Sequence, residues 1–430
     1  MPLLQRKQLP REIVWTVTYR MARLYGCLAV PTQIRGVILN GVEKTVSVVD
    51  WEEPPLKYRR KLVRQRDPYA GDQTEALFLQ AVRENCEHAE QRCPEYRTIL
   101  DDAGFASSDL NGTEDLARLP FLTTALLKRR RVFSMPRWRR IVNVTSSGTS
   151  GTASEIGFTL GDLLSELRMV LRICPMRRLI GLKPCHYVIF GYQPTRKNRT
   201  AASKTAFGVT LFTPALSRTY ALRWEKDRYI LDLEAVQAAV VRHADSRFPL
   251  RFMGFPAYAW FLMKRMDEQS VHVRLPKGSK LMLGGGWKQF YAEEVNKSDF
   301  YALAKKVLGL DDRDIVEFYG AVEHPILYMD CEYHHFHVPI YSRVLIRDVQ
   351  TLEPVPNGTP GLVNLITPLV TGTPLLSVMT DDLGVLHDGC DCSCGIQTPY
   401  LEILGRVGLQ DVKTCAAGAA ELLNKVEVAL

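Results

Sequence analysis

Apolar positions along the chain recur with two periods. From Thr74-Glu75-Ala76-Leu77-Phe78-Leu79 through Val82 the spacing is helical, and Leu233 to His243 repeats it. His186-Tyr187-Val188-Ile189-Phe190 reads instead as a strand. Strands and helices alternate through the middle of the chain, which predicts a layered α/β architecture. Between Tyr341 and Val385 short β-rich runs are split by Pro354, Pro356-Asn357-Gly358, Pro360 and Gly372. That pattern predicts a small β subdomain of hairpins. Residues 1–66 read as an N-terminal extension that ends in charged residues after Trp51-Glu52-Glu53-Pro54-Pro55. The stretch after Gly405-Arg406 is too short for another independent domain. The expected division is 1–66, 67–404 and a C-terminal segment 405–430.

Composition narrows the function classes. No run of 18 apolar residues occurs in the sequence, so no transmembrane helix is expected. The net charge of +8 concentrates in Arg59-Arg60-Lys61 and in Lys128-Arg129-Arg130-Arg131 with Arg137, Arg139 and Arg140. Such clusters attract anions or form solvated basic faces. No zinc-finger spacing or aromatic-plus-basic RNA motif points to nucleic acid. Ten cysteines without a secretory signal fit a reduced, cytoplasmic setting, where clustered cysteines more often mean metal or chemistry than crosslinks.

The chain's most distinctive chemistry lies in Thr145-Ser146-Ser147-Gly148-Thr149-Ser150-Gly151-Thr152, between the apolar runs 141–144 and 156–158. Glycines can turn backbone N–H groups inward, and hydroxyls add donors, so the stretch could cradle phosphate, although a Ser/Gly run taken alone is more often a flexible loop. It is not a Walker loop, because no Gly-Lys-Ser/Thr ends it. Further motifs follow in order: Leu283-Gly284-Gly285-Gly286-Trp287-Lys288, then Glu317-Phe318-Tyr319-Gly320-Ala321-Val322-Glu323-His324-Pro325, then Thr380-Asp381-Asp382-Leu383-Gly384 ahead of Gly405-Arg406.

This order resembles the adenylate-forming superfamily of acyl-CoA ligases. The Gly-Gly-Gly-Trp-Lys block and the ending Asp411-Val412-Lys413-Thr414-Cys415 are similar to the acyl-protein synthetase branch, which is related to phenylacetate–CoA ligases. The resemblance covers about residues 67–430. It implies the α/β large domain of that superfamily, with two layered subdomains, a small β subdomain and a truncated C-terminal segment. It also implies ATP-dependent activation of a carboxylic acid, in this branch a fatty acid, as an acyl-adenylate. Thr145–Thr152 would hold the β and γ phosphates, and Tyr319-Gly320 with Gly284, Gly285 and Gly286 would hold adenine. Glu323 would serve Mg2+, while Asp382 with Arg406 would bind the ribose. Taken without the resemblance, Glu323 could equally be a carboxylate starting a surface helix, and Asp381-Asp382 a turn pair.

Two departures stand out against the superfamily. Its larger C-terminal domain, with a lysine that meets the substrate carboxylate, has no room after Arg406. Lys288 and Lys413 are the candidate substitutes. Gly408 stands where an aspartate is usual. The branch carries its acyl thioester at the position of Cys415. Lys413 and a helical pattern over 416–430 would lower that thiol's pKa. An NADPH-dependent acyl reductase is the implied partner; a free-standing ligase using CoA or an amine, and an adenylate-binding scaffold, are the alternatives. Cys331, His337, Cys392 and Cys394 could form a four-coordinate site for structural Zn2+, with Cys390 or His335 as substitutes.

Overall fold

The computed structural model describes residues 56–145, 154–195, 201–226, 228–287, 290 and 293–406, with side chains of the helix Ala201–Val209 from Thr205 onward. Three short strands come first: β1 (Leu122–Thr123), β2 (Val142–Thr145) and β3 (Glu155–Phe158), of which β2 and β3 form an antiparallel hairpin. A larger sheet follows from β4 (Cys185–Tyr192), β5 (Ala215–Glu225), β6 (Arg228–Leu231), β7 (Leu250–Gly254), β8 (Lys280–Gly284), β9 (Ile315–Ala321) and β10 (His324–Met329). Their order is β10-β9-β8-β7-β4-β5-β6. The inner pairs are parallel, while β10 and β6 close the two edges antiparallel.

Burial on both faces explains the apolar run in β4. Val188 and Phe190 pack with Phe252, Leu281 and the helices Leu233–Ala244, Pro256–Glu268 and Lys297–Leu308. Tyr187 and Ile189 point the other way, into the core shared with the helix Leu160–Ile173. A parallel sheet sandwiched between helices needs apolar side chains on both sides of each strand. The expected strand at 186–190 and helix at 233–243 both form. The helix near residue 74 spans Gly71–Arg92, longer than its apolar repeat suggested.

The second sheet joins β11 (Phe336–His337), β12 (Arg343–Arg347), β13 (Gly361–Ile366), β14 (Ser377–His387) and β15 (Tyr400–Arg406) in the order β11-β15-β14-β13-β12. These pairs are antiparallel, whereas β1 runs parallel beside the start of β14. The β-rich reading of 341–385 is this sheet. One polar hub ties it to the β2–β3 hairpin. Asp162, in the capping box of the helix Leu160–Ile173, accepts from Thr371 and Gly372 backbone N–H groups and pairs with Arg59 at 2.8 Å. A Cβ on Gly372 would meet the Gly157 carbonyl oxygen at 2.3 Å, so only glycine allows this approach. Arg59 lies in the helix Lys57–Val63, inside the segment the sequence assigned to the extension.

Candidate functional site

The site grows from the ends of strands. Glu317, Tyr319 and Ala321 alternate along β9, so they share one face. The Tyr319 hydroxyl donates to Asp382 Oδ2 at 3.0 Å. Asp382 and Arg406 are direct partners across β14 and β15, with Arg406 Nε 3.6 Å from Asp382 Oδ1. Cross-strand register brings these two charges together. Asp381 takes the neighbouring contacts: it accepts from Thr124 Oγ1 at 2.7 Å, with Arg406 at 3.7 Å and Lys128 at 4.0 Å. Burial pushes the Asp382 carboxyl above its usual value, with Arg406 and the Tyr319 hydroxyl opposing that rise.

Glu323 sits at the turn between β9 and β10, so it is not a surface helix start. It is 6% exposed and accepts a short hydrogen bond from Ser154. The next residue, His324, is fully buried against Ser342 and Tyr328, which anchors the turn and aims Glu323. Beyond β8, Gly285 and Gly286 have φ of +83° and +66°, a left-handed backbone that favours glycine. A cavity of about 540 Å3 opens beside them, lined by Gly284, Gly286, Tyr319, His335, Tyr400 and Ile403 among others. In its wall Tyr301 donates to Glu317 at 2.5 Å, and Lys297 pairs with Glu317 at 2.8 Å.

Three of the expected nucleotide residues, Gly284, Gly286 and Tyr319, thus line the cavity, and Asp382 with Arg406 adjoins it through the Tyr319 hydroxyl. Gly320 lies in β9 beside Tyr319, Gly285 and Glu323 lie on the adjoining turns, and Thr145 ends β2 opposite Glu155. Ser146 to Thr152, Lys288, Lys413 and Cys415 lie outside the described residues. The sequence reading missed Ser154, Thr124 and the Tyr301–Glu317–Lys297 chain. Period-two alternation with Tyr319 was the signal available for Glu317; nothing comparable marked the others.

Next to the cavity, Cys331, His337, Cys392 and Cys394 offer donor atoms within 4.8 Å of one another. Cys331 and Cys392 sulfurs are 3.7 Å apart, and Cys394 Sγ is 3.2 Å from His337 Nε2. His337 Nδ1 lies 2.8 Å from the Thr398 carbonyl, which can only accept, so Nδ1 holds the proton and Nε2 is left free to ligate. Burial pushes the Cys394 thiol up to about 12 and raises Cys331 as well. A bound cation reverses that preference by stabilising thiolate. Of the two substitutes, Cys390 is exposed and outside the group, whereas His335 reaches Cys392 Sγ at 3.1 Å.

The comparisons with known proteins agree with this geometry. A family model described as "Acyl-protein synthetase, LuxE" matches residues 59–424. The long-chain-fatty-acid–luciferin-component ligase of Aliivibrio fischeri is 26% identical over 316 residues, 71% of this chain and 79% of that protein. A phenylacetate-coenzyme A ligase of Aromatoleum evansii is 33% identical over 104 residues, 24% of each chain. Among solved structures, a 2-hydroxyisobutyryl-CoA ligase in complex with its acyl-adenylate superposes with a TM-score of 0.60 at 16% identity, covering 80% of this chain and 70% of that one. That likeness shows the fold, the α/β fold of adenylate-forming ligases. The chain belongs to the LuxE family of acyl-protein synthetases.

Proposed function

We propose that this ligase activates a fatty acid with ATP, moves the acyl group to Cys415 and passes it to a partner enzyme such as an NADPH-dependent acyl reductase. The Tyr319–Asp382–Arg406 chain of contacts beside the glycine-lined cavity carries the reading. A carboxylate is a poor electrophile, so its oxygen must first become a leaving group. Attack by that oxygen on the α-phosphorus of ATP forms the acyl-phosphate bond and expels pyrophosphate. Positioning and charge neutralisation supply most of such catalysis. Tyr319 offers a flat face to adenine, Asp382 accepts from ribose hydroxyls, and Arg406 steadies Asp382. Thr145 to Thr152 would donate to the β and γ phosphates. Glu323, a buried carboxylate with one hydroxyl partner, suits Mg2+, whose charge would offset that of the phosphates. Lys288 is the candidate cation for the acid's carboxylate. The Cys415 thiolate then attacks the acyl carbonyl and releases AMP. Cys331, His337, Cys392 and Cys394 suit a structural zinc ion, a closed four-ligand set.

The local similarity to phenylacetate–CoA ligases favours one competing acceptor, CoA itself. Acid-dependent pyrophosphate exchange over a panel of fatty and aryl acids tests the activation step. Long-chain fatty acids should support exchange best. Asp382→Ala and Glu323→Gln should each lower it on the order of 100-fold, as removing one preorganised electrostatic contact does. Exchange at the native rate in both variants would refute the nucleotide assignment.

A further inference from the structure

Between Leu116 and Ser154 the sequence holds eight Lys and Arg residues and not one Asp or Glu. Those eight account for the whole formal net charge of +8, so the rest of the chain is balanced. Lys128 is partly buried beside Asp381, but most of the other cations stay open to solvent. Arg129, Arg130 and Arg137 are exposed, and Arg131, which reaches Glu155 at 3.2 Å, is 80% exposed at its side chain. Large apolar side chains stand among them: Trp138 is 60% exposed and Ile141 45%. Ile141 bonds to the Phe158 carbonyl at the base of the β2–β3 hairpin, which brings it beside the start of the helix Leu160–Ile173. On that helix Leu160 and Leu164 are 43% and 40% exposed, and the i+4 spacing continues to exposed Arg168. The guanidinium of Arg168 is held below its usual value by desolvation and then by Arg64 and Arg60, both exposed, Arg60 on the helix Lys57–Val63 and Arg64 capping its C-terminal end. Trp138, Ile141, Leu160 and Leu164 are thus exposed apolar side chains on adjoining segments, interspersed with exposed arginines.

We propose that this face docks on an anionic lipid surface. Like-charge crowding and exposed apolar area both cost the free protein stability, and a negatively charged, partly apolar interface relieves both at once. Interfacial binding scales with buried apolar area plus attraction to anionic headgroups, on the order of 1 kcal/mol per nearby cation. Trp138, with Arg139 stacked over its ring at 4.8 Å, supplies the amphipathic side chain that settles at headgroup depth. No helix among the described residues is long and apolar enough to cross a membrane, so the contact is peripheral. Lys128 at one end of the stretch reaches Asp381 at 4.0 Å, whereas Arg137, Arg168, Trp138, Ile141, Leu160 and Leu164 have no role in the proposed activation chemistry, on which the inference does not rest.

The test is co-sedimentation of the full chain with vesicles of phosphatidylcholine alone and of phosphatidylcholine mixed with phosphatidylglycerol. Binding is expected to the anionic vesicles only, weakening as salt is added. Arg137→Glu with Arg168→Glu should lower the partition coefficient on the order of 30-fold or more. Leu160→Ser with Leu164→Ser should weaken binding while leaving its salt dependence in place. Pyrophosphate exchange with a water-soluble short-chain acid should be unchanged in these surface variants, which shows that they fold. Equal binding to neutral vesicles, or native affinity in the charge-reversed variant, would overturn the proposal. So would charge reversal that spares vesicle binding but abolishes binding of an acidic carrier protein, which would make the face a protein-docking surface.

Discussion

At the scale of single residues, two buried histidines set how the molecule responds to acid. His88 is buried in the helix Gly71–Arg92, beside Arg92, Arg59 and Asp162. Desolvation, then Arg92 and Arg59, push its pKa down to about 4, against a smaller opposing effect of Asp162. His324 is fully buried beneath Glu323, and desolvation pushes it down to about 3. Both imidazoles are neutral in the folded state. Their folded pKa values lie below the unfolded value of about 6.5, so unfolding takes up protons between the two. The stability they contribute is fully present above about pH 6.5 and is lost as pH falls toward 4 and 3. Each should cost roughly 2 kcal/mol between about pH 7 and about pH 5. Urea unfolding at the two pH values measures it, and His88→Leu should flatten the slope. A slope unchanged by that substitution would mean His88 is already charged when folded. His324 adds a functional consequence, because the turn it anchors carries Glu323.

At the scale of elements, the segment after β10 and the loop before β15 meet at the group of Cys331, His337, Cys392 and Cys394, beside the backbone bond from Val338 to the Pro399 carbonyl. The loop after β10 also walls the cavity: His335 stacks on Tyr400 of β15 at 4.1 Å, and His387 at the end of β14 stacks on the same ring at 4.8 Å. A zinc ion there would fix the cavity wall as well as the fold. Protein purified without added metal should contain stoichiometric zinc by elemental analysis. Cys392→Ser with Cys394→Ser should lose it and lower stability by about 4 kcal/mol, as expected for a ligand a thousand-fold above its dissociation constant. Zinc-free native protein, or a variant with unchanged melting, would remove the site. This group was legible in the sequence because each loop supplies its ligands at short spacing. The strand at 186–190 and the helix at 233–243 were legible through burial patterns that repeat within one element. Contacts set by long-range register were not. Nothing local announces that β1 lies beside β14, that Asp382 faces Arg406 across a ladder, or that Ser154 reaches Glu323. Arg59 was placed in an extension because its partner Asp162 is 103 residues away.

At the scale of the whole molecule, the proposed acid activation rests on the described crevice, while the proposed transfer depends on a segment outside the described residues. The family match runs from 59 to 424 and so spans Cys415 together with every residue proposed to hold the nucleotide. That continuity allows the two half-reactions to be pulled apart with one substitution. In Cys415→Ser, acid-dependent pyrophosphate exchange should persist at the native rate, since Tyr319, Glu323, Asp382 and Arg406 are untouched. The thiol-labile acyl label on the protein should vanish, because a serine hydroxyl is a far weaker nucleophile near neutral pH than a thiol. Lys413, two residues away in sequence, should favour the thiolate that does the work. Transfer to a reductase partner should vanish along with the label. Mass spectrometry after incubation with ATP and acid reads the outcome directly, as acyl mass on the peptide containing Cys415. A hydroxylamine-sensitive label that survives in the variant would assign the carrier role to another thiol. Turnover with CoA at the native rate in the variant would make the enzyme a free-standing ligase, with adenylation intact and the internal thioester gone.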